Sequence, residues 1–404
     1  MSLCAAVRRV GDEMGTIGNK PEYIKAIISM LGCGVSKFAD FCSTLCTFNY
    51  TGGRGVIHSF PQQSLPIVWD FAETNPFNPA GASWIAVIED NPTVIEQLQD
   101  MRMVGQVQRG PAQTLPFEDA SVDSVITDPP YYDNVSYSNL SDFFLLWLRR
   151  SIGHLYPEHF ASPSAPKKLE IIAASYRHAG DKRKARDFYE NGMQIAFEEA
   201  FRVLKPSGQI TVVYAHKTTL GWATLVNALR RAGFTVTEAW PLDTERKGRV
   251  IAMDTAALAS SIFLVARKRE GHLTGSYEEE VRPELEQIVR ERVDTLWDMG
   301  ISGADLVIAA VGAGLRAFTR FVRVEYANGE MKDPRRMVAT TVRIQGGRHP
   351  LLPVYTAAPF PKARIMDLLA SLRSVQVQAP VKEGQVVLEN ALDTGIPILA
   401  SRDM

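Results

Sequence analysis

Asp128-Pro129-Pro130-Tyr131 is a run whose residue types and order suit a specific reaction. It follows directly on Val122-Asp123-Ser124-Val125-Ile126-Thr127, a stretch with the β-branched composition of a strand. A carboxylate, two prolines and an aromatic ring therefore fall at the carboxyl end of a strand, where open α/β sheets bind ligands. The chemistry that fits is activation of an exocyclic amino group on a nucleobase. That nitrogen's lone pair is delocalised into the ring, so acceptors must draw it toward a tetrahedral geometry before it can attack. Asp128 can accept one amino hydrogen and the Pro129 carbonyl the other, while consecutive prolines fix φ and hold that carbonyl in place. Tyr131 can stack on a base turned out of a duplex. Methyl transfer then needs only in-line positioning, with no covalent intermediate. The candidate catalytic set is Asp128, Pro129, Pro130 and Tyr131. A proline turn capped by Asp is the structural alternative for the same residues.

Further candidates surround this run. Tyr132, Asn134 and Tyr137 could line a pocket for the extruded base. Between Lys167 and Arg186 stand seven Lys and Arg residues against Glu170 and Asp181, an excess suited to tracking phosphates. Lys182, Arg183, Lys184 and Arg186 are its densest part, and a solvated charged face is the competing reading. His216 and Lys217 follow a second strand, Gln209 to Tyr214. The four cysteines, Cys4, Cys33, Cys42 and Cys46, form no C-x-x-C pair, so no metal site is expected from them.

The elements that must position these residues follow from periodicity. In 404 residues, 46% hydrophobic, two or three domains are expected. From Pro21 to about Phe48 apolar residues, Ile24 to Phe41 among them, recur at helical steps and read as a helix with a weak point at Gly32 and Gly34. Residues 51–82 read as a loop-rich connection. From Trp84 to Arg267 short β-rich runs alternate with helices, the pattern of a parallel sheet covered by helices. Candidate strands are Gly105–Gln108, Val122–Thr127, Gln209–Tyr214, Thr235–Ala239 and Ile262–Ala266. Candidate helices are Leu140–Ile152, Asp187–Leu204, stopped by Lys205-Pro206-Ser207-Gly208, and Trp222–Ala232. A charged helix, Glu278–Trp297, and an apolar one, Ala304–Phe321, read as an appendage. The expected divisions are a helical and loop-rich segment 1–83, a catalytic domain 84–270, a helical appendage 271–327 and a mixed or flexible tail 328–404. A net charge of -1 argues against indiscriminate coating of nucleic acid, so any contact comes from a local patch. No stretch approaches a membrane span and no leader is evident, so a cytoplasmic location is expected.

Residues 40–270 resemble the adenine-specific DNA methylases that carry an amino-terminal domain of unknown function and, often, a zinc ribbon. The matching segments are Trp69-Asp70-Phe71-Ala72-Glu73, Asp128 through Val135, Leu140-Ser141-Asp142-Phe143-Phe144 and Trp147-Leu148-Arg149-Arg150. Downstream, Arg202-Val203-Leu204-Lys205-Pro206, Tyr214-Ala215-His216-Lys217-Thr218, Trp240-Pro241 and Thr244-Glu245-Arg246 also match. The resemblance implies a Rossmann-like methyltransferase sheet with helical additions at both ends. It further implies S-adenosyl-L-methionine as methyl donor, adenine in DNA as substrate, and a role in restriction-modification or phage defence. Ala112 and Gln113 stand where the methylase pattern places contacts to the donor's adenine, and Asp128 borders the same site.

One part of that pattern is not legible. These methylases carry a Phe-x-Gly-x-Gly turn after a strand, and the nearest run here is Leu31-Gly32-Cys33-Gly34. Its surroundings have helical periodicity and lack an acidic residue about 20 positions on, so it reads as helix interior. Glu89 or Asp90 would suit the ribose but lies far beyond that spacing. The sheet is therefore expected to be incomplete in this chain, with a second polypeptide supplying the glycine turn. Two other readings stay open: an RNA base amino-methyltransferase, and a non-catalytic DNA-binding or assembly fragment of a split methylase.

Overall fold

The computed structural model describes residues 2–48, 55–61, 64–72, 74–78, 83–98, 105–132, 135–214, 219–243, 260–271, 273–298 and 303–329. The chain packs as two compact units, residues 1–109 with 135–170, and residues 110–134 with those from 171 onward. These boundaries differ from the linear divisions read from sequence, because the first unit takes a helix from beyond the Asp128 run.

In the first unit, α1 (Leu3–Thr16) begins at Ser2, whose hydroxyl accepts from the Ala5 amide. α2 (Pro21–Phe41) begins with proline at its first position, where the missing N–H would have no partner anyway. It runs unbroken through Gly32 and Gly34. Their role is close packing: a Cβ on Gly32 would stand 2.5 Å from Ile152, and one on Gly34 3.0 Å from Val87. Those neighbours belong to α4 (Tyr137–Ile152) and α3 (Trp84–Leu98) respectively. Thr47–Phe48 (β1) and Val56–Ile57 (β2) form a small antiparallel pair, and α5 (Pro157–Phe160) is a single turn. Cys4, Val7, Ile28, Val35 and Ile152 make this unit's small core.

The second unit is α/β and is built on a four-stranded sheet. β3 (Val122–Thr127) lies at one edge and is parallel to β4 (Leu204–Tyr214). β6 (Ser260–Lys268) lies between β4 and β5 (Phe234–Asp243) and is antiparallel to both. The parallel sheet expected from sequence is thus mixed. Gly105–Gln108 joins no sheet, since Val107 is its only apolar side chain and the segment stays exposed. Lys205-Pro206-Ser207-Gly208 ends a helix as expected but stays within β4. Val122 pairs with Leu204 and Ser124 with Gln209, so three extra residues bulge from β4, and the bulge accommodates Pro206 in a strand that is otherwise paired on both sides.

α6 (Lys182–Val203) starts at Asp181, whose carboxylate accepts from the Arg183 and Lys184 amides at 2.9 and 3.1 Å. α7 (Thr219–Arg231) lies against α6 and β5. Beyond β6, β7 (Thr274–Ser276) leads into a π turn, Tyr277–Val281, then α8 (Arg282–Asp298), α9 (Gly303–Thr319) and β8 (Arg323–Glu325), which pairs with β7. Leu285, Val289, Val293 and Leu296 of α8 and Leu315 and Phe318 of α9 share one core with Tyr189, Met193, Phe197, Ile210, Val212, Phe234 and Leu264. No packing break falls at residue 270, and these helices belong to the sheet's own core. The charged residues of α8 dominate its sequence while its apolar stripe does the packing. Thr319, fully buried, locks the join: its hydroxyl donates to the Leu315 carbonyl at 2.8 Å and accepts from the Val236 amide at 2.9 Å, beside a bulge in β5.

Among the described residues, no helix is long and apolar enough to cross a membrane.

Candidate active site

Thr127, the last residue of β3, pairs with Val212, and the chain then leaves the sheet through Asp128-Pro129-Pro130-Tyr131. Asp128 is exposed, Pro129 is buried, and Pro130 and Tyr131 are half-buried. The loop is fixed from below. The buried Tyr189 hydroxyl of α6 donates to the Pro130 carbonyl at 2.7 Å, and the Tyr132 amide donates to the same oxygen at 3.0 Å. The Tyr132 carbonyl accepts from the Ala173 amide at 2.9 Å. Tyr132 is held at φ 53°, in the left-handed region, which costs a non-glycine residue on the order of 1–3 kcal/mol. Such strain persists only where the surroundings over-determine it, as these three hydrogen bonds do here.

An aromatic floor supports the loop. Tyr131 meets Tyr214 edge to face at 5.5 Å, Tyr132 meets Tyr189 at 5.2 Å, and Tyr214 meets Trp222 at 5.2 Å. Burial pushes the Tyr214 phenol far above its usual range, with the neighbouring Tyr189 adding to the shift. Tyr214 therefore serves this floor as a neutral ring beneath Tyr131.

Ala112 and Gln113 sit in the turn closed by the Thr114 amide on the Pro111 carbonyl at 3.1 Å. Ala112 is exposed and Gln113 half-buried. The Gln113 amide nitrogen lies 3.5 Å from the point a Cβ on Gly192 would occupy, so α6 carries this turn as well as the Pro130 tether. Asp128 through Tyr132, Ala112 and Gln113 thus belong to one unit and share one supporting helix.

The basic run opens that same helix. Lys182, Arg183 and Lys184 are exposed, whereas Arg186 lies 3.8 Å from Asp187 and 3.9 Å from Glu190. Because Asp181 already occupies the amides of the first turn, a phosphate here would meet side chains rather than the helix end. Tyr137 is the exposed first residue of α4, in the other unit, where its carbonyl accepts from Ser141. Glu89 also lies in that unit, on α3, as does the backbone of Asp90. Asn134, His216, Lys217 and Thr244 through Arg246 lie outside the described residues, as does nearly all of 328–404.

Sequence reasoning missed Tyr189, because it shares helical spacing with Met193 and Phe197 and reads as plain core. The available signal was its hydroxyl: a buried tyrosine needs a hydrogen-bond partner, and this one lies 59 residues away in sequence.

A family model described as a protein of unknown function (DUF1667) matches residues 324–402. No curated protein matches the chain in sequence. Among solved structures, the chain is similar to a candidate DNA modification methylase from Thermus thermophilus. Its selenomethionine form is 17% identical with a TM-score of 0.23, over 61% of this chain and 85% of that one. A second structure of that protein is 15% identical with a TM-score of 0.23, over 60% of this chain and 95% of that one.

Proposed function

We propose that the chain is the catalytic part of an S-adenosylmethionine-dependent DNA methyltransferase that modifies an exocyclic amino group, that of adenine by the resemblance of its motifs. The observation that carries this reading is the Asp128 loop: an exposed carboxylate at the end of a parallel strand, on a strained segment tied to the core through Pro130 and Tyr132.

The residues present fit the adenine side of such a donor, through the half-buried Gln113 amide, and the amino side, through Asp128. When bound, S-adenosylmethionine supplies an electrophilic methyl group on a sulfonium. Asp128 accepts one amino hydrogen of the target base and the Pro129 carbonyl the other, so the nitrogen lone pair is freed for attack. The Tyr189 tether sets where that carbonyl points, because it fixes the next peptide unit. Tyr131 gives the extruded base a face, and Lys182, Arg183, Lys184 and Arg186 track phosphates nearby. Cytosine's amino group needs the same acceptors.

The methionine end of the donor is received, on this reading, by a glycine turn from a second polypeptide. Gly32 and Gly34 are spent on helix packing. Among the described residues no strand pairs with the outer edge of β3, and Ile126 on that strand is 75% exposed. Parallel strands ordinarily have both faces covered, so this edge suits a further element.

Calorimetry with S-adenosylmethionine tests the proposal. The chain alone should bind weakly or not at all, and a polypeptide carrying the glycine turn should restore binding and methyl transfer together. Tight binding by the chain alone would remove the second polypeptide from the account. Binding and transfer absent from both would remove the methyltransferase.

A further inference from the structure

Arg202, near the end of α6, has a guanidinium group whose five N–H donors are all committed. Nε donates to Glu199 Oε1 at 3.0 Å, and Nη2 to Glu199 Oε2 at 2.8 Å and the Leu115 carbonyl at 3.0 Å. Nη1 donates to the Phe117 carbonyl at 2.8 Å and to Asp119 at 2.7 Å. Glu199 in turn accepts from the Leu115 amide at 2.9 Å, and the Ala120 amide donates to the Arg202 carbonyl at 3.0 Å. One helical turn thus grips both ends of the segment 115–120. That segment is mostly exposed and buries little apolar surface, so core packing does not account for the grip.

What the grip controls lies just before it in the chain. Gln113 reaches over α6 at Gly192, where the missing side chain leaves room for its amide and for Ile171, 2.9 Å from a Cβ placed there. One helix then carries, in order, the Pro130 tether at Tyr189, the Gln113 seat at Gly192 and the clamp at Glu199 and Arg202. A rigid helix fixes the separation of what it carries, and support from behind is what holds a binding side chain in place.

We infer that Glu199 and Arg202 are positioning residues, and Gly192 the seat, that set Gln113 for the adenosyl part of the methyl donor in register with the Asp128 loop. This rests on the methyltransferase reading above. Lysine cannot replace Arg202, having three donors on a point charge instead of a planar fork of five.

The test uses the assembly that transfers methyl groups, with Arg202→Lys, Glu199→Gln and Gly192→Ala. All three should raise the KM for S-adenosylmethionine by about tenfold or more while kcat stays within about threefold, because the reacting groups are untouched. Hydrogen exchange separates the roles: the Leu115 and Ala120 amides lose protection in Arg202→Lys and Glu199→Gln but keep it in Gly192→Ala. In that assembly, adenosine should shift the Gln113 side-chain amide resonance of the native chain and shift it less in each variant. An unchanged KM in variants that have lost loop protection would overturn the inference, making the clamp structural only. So would a fall in kcat at constant KM. A native assembly that neither binds donor nor transfers methyl would instead overturn the methyltransferase reading. Should Arg202→Lys fail to fold, Gly192→Ala decides alone, since it leaves the clamp intact.

Discussion

Asp128 stands exposed at the end of β3, so its removal takes away an acceptor without disturbing the core. Asp128→Ala should lower methyl transfer by roughly two to three orders of magnitude, as loss of one preorganised polar group does elsewhere, with an unchanged melting temperature. A radiolabelled transfer assay beside thermal unfolding checks both. Tyr189→Phe isolates the tether. It should reduce kcat about tenfold through misplacement of the Pro129–Pro130 segment while leaving donor KM unchanged. Losing the hydrogen bond should cost about 0.5–1.5 kcal/mol of stability. Glu199 offers a pH test. Hydrogen bonds from Arg202, then the Leu115 amide, hold its carboxyl at about 2 against an ordinary 4.5. A depressed carboxylate contributes stability that is fully present above its unfolded value and is lost progressively as pH falls from there through the folded one. Protection of the Leu115 amide should therefore be unchanged between neutral pH and the ordinary carboxylate value, then fall progressively as pH drops from there toward the folded value of about 2.

At the scale of elements, helix and sheet each take part in the site by supporting a loop. α9 joins β5 through Thr319, whose hydroxyl satisfies the Val236 amide at the bulge. Thr319→Val keeps the shape and strands that buried amide, so it should destabilise by about 1–3 kcal/mol, read from denaturant unfolding. Activity should persist below the new midpoint, because Thr319 touches neither loop. At the start of α6, replacing Lys182, Arg183, Lys184 and Arg186 by glutamine should weaken DNA binding and flatten its salt dependence. Each lost phosphate contact takes about one from the slope of log affinity against log salt. Arg186 should contribute least, being already near Asp187 and Glu190. An unchanged slope would identify the run as a solvated face.

Across the whole molecule, legibility followed the range of the interactions. β3 and the loop after it were plain in sequence because β-branched composition and paired prolines act locally. The continuity of α2 through Gly32 and Gly34 was legible from its periodicity, but the reason for the glycines was not, since Ile152 and Val87 approach from far along the chain. The place of α8 and α9 in the sheet's core was hidden for a similar cause: α9 meets β5 and α8 packs on α9, pairings that the local composition of either helix does not show. Tyr189 and Arg202 were invisible as site residues because each acts on a carbonyl 59 or more positions away. What remains decisive is the chemistry of Asp128 in the protein's native setting. Methylated nucleosides in the DNA of native cells, quantified by mass spectrometry with the gene intact and with an Asp128→Ala allele, test it directly. The account predicts N6-methyladenine that is present with the intact gene and lost with the allele at equal protein level. Equal amounts of methylated amino bases in both would contradict it.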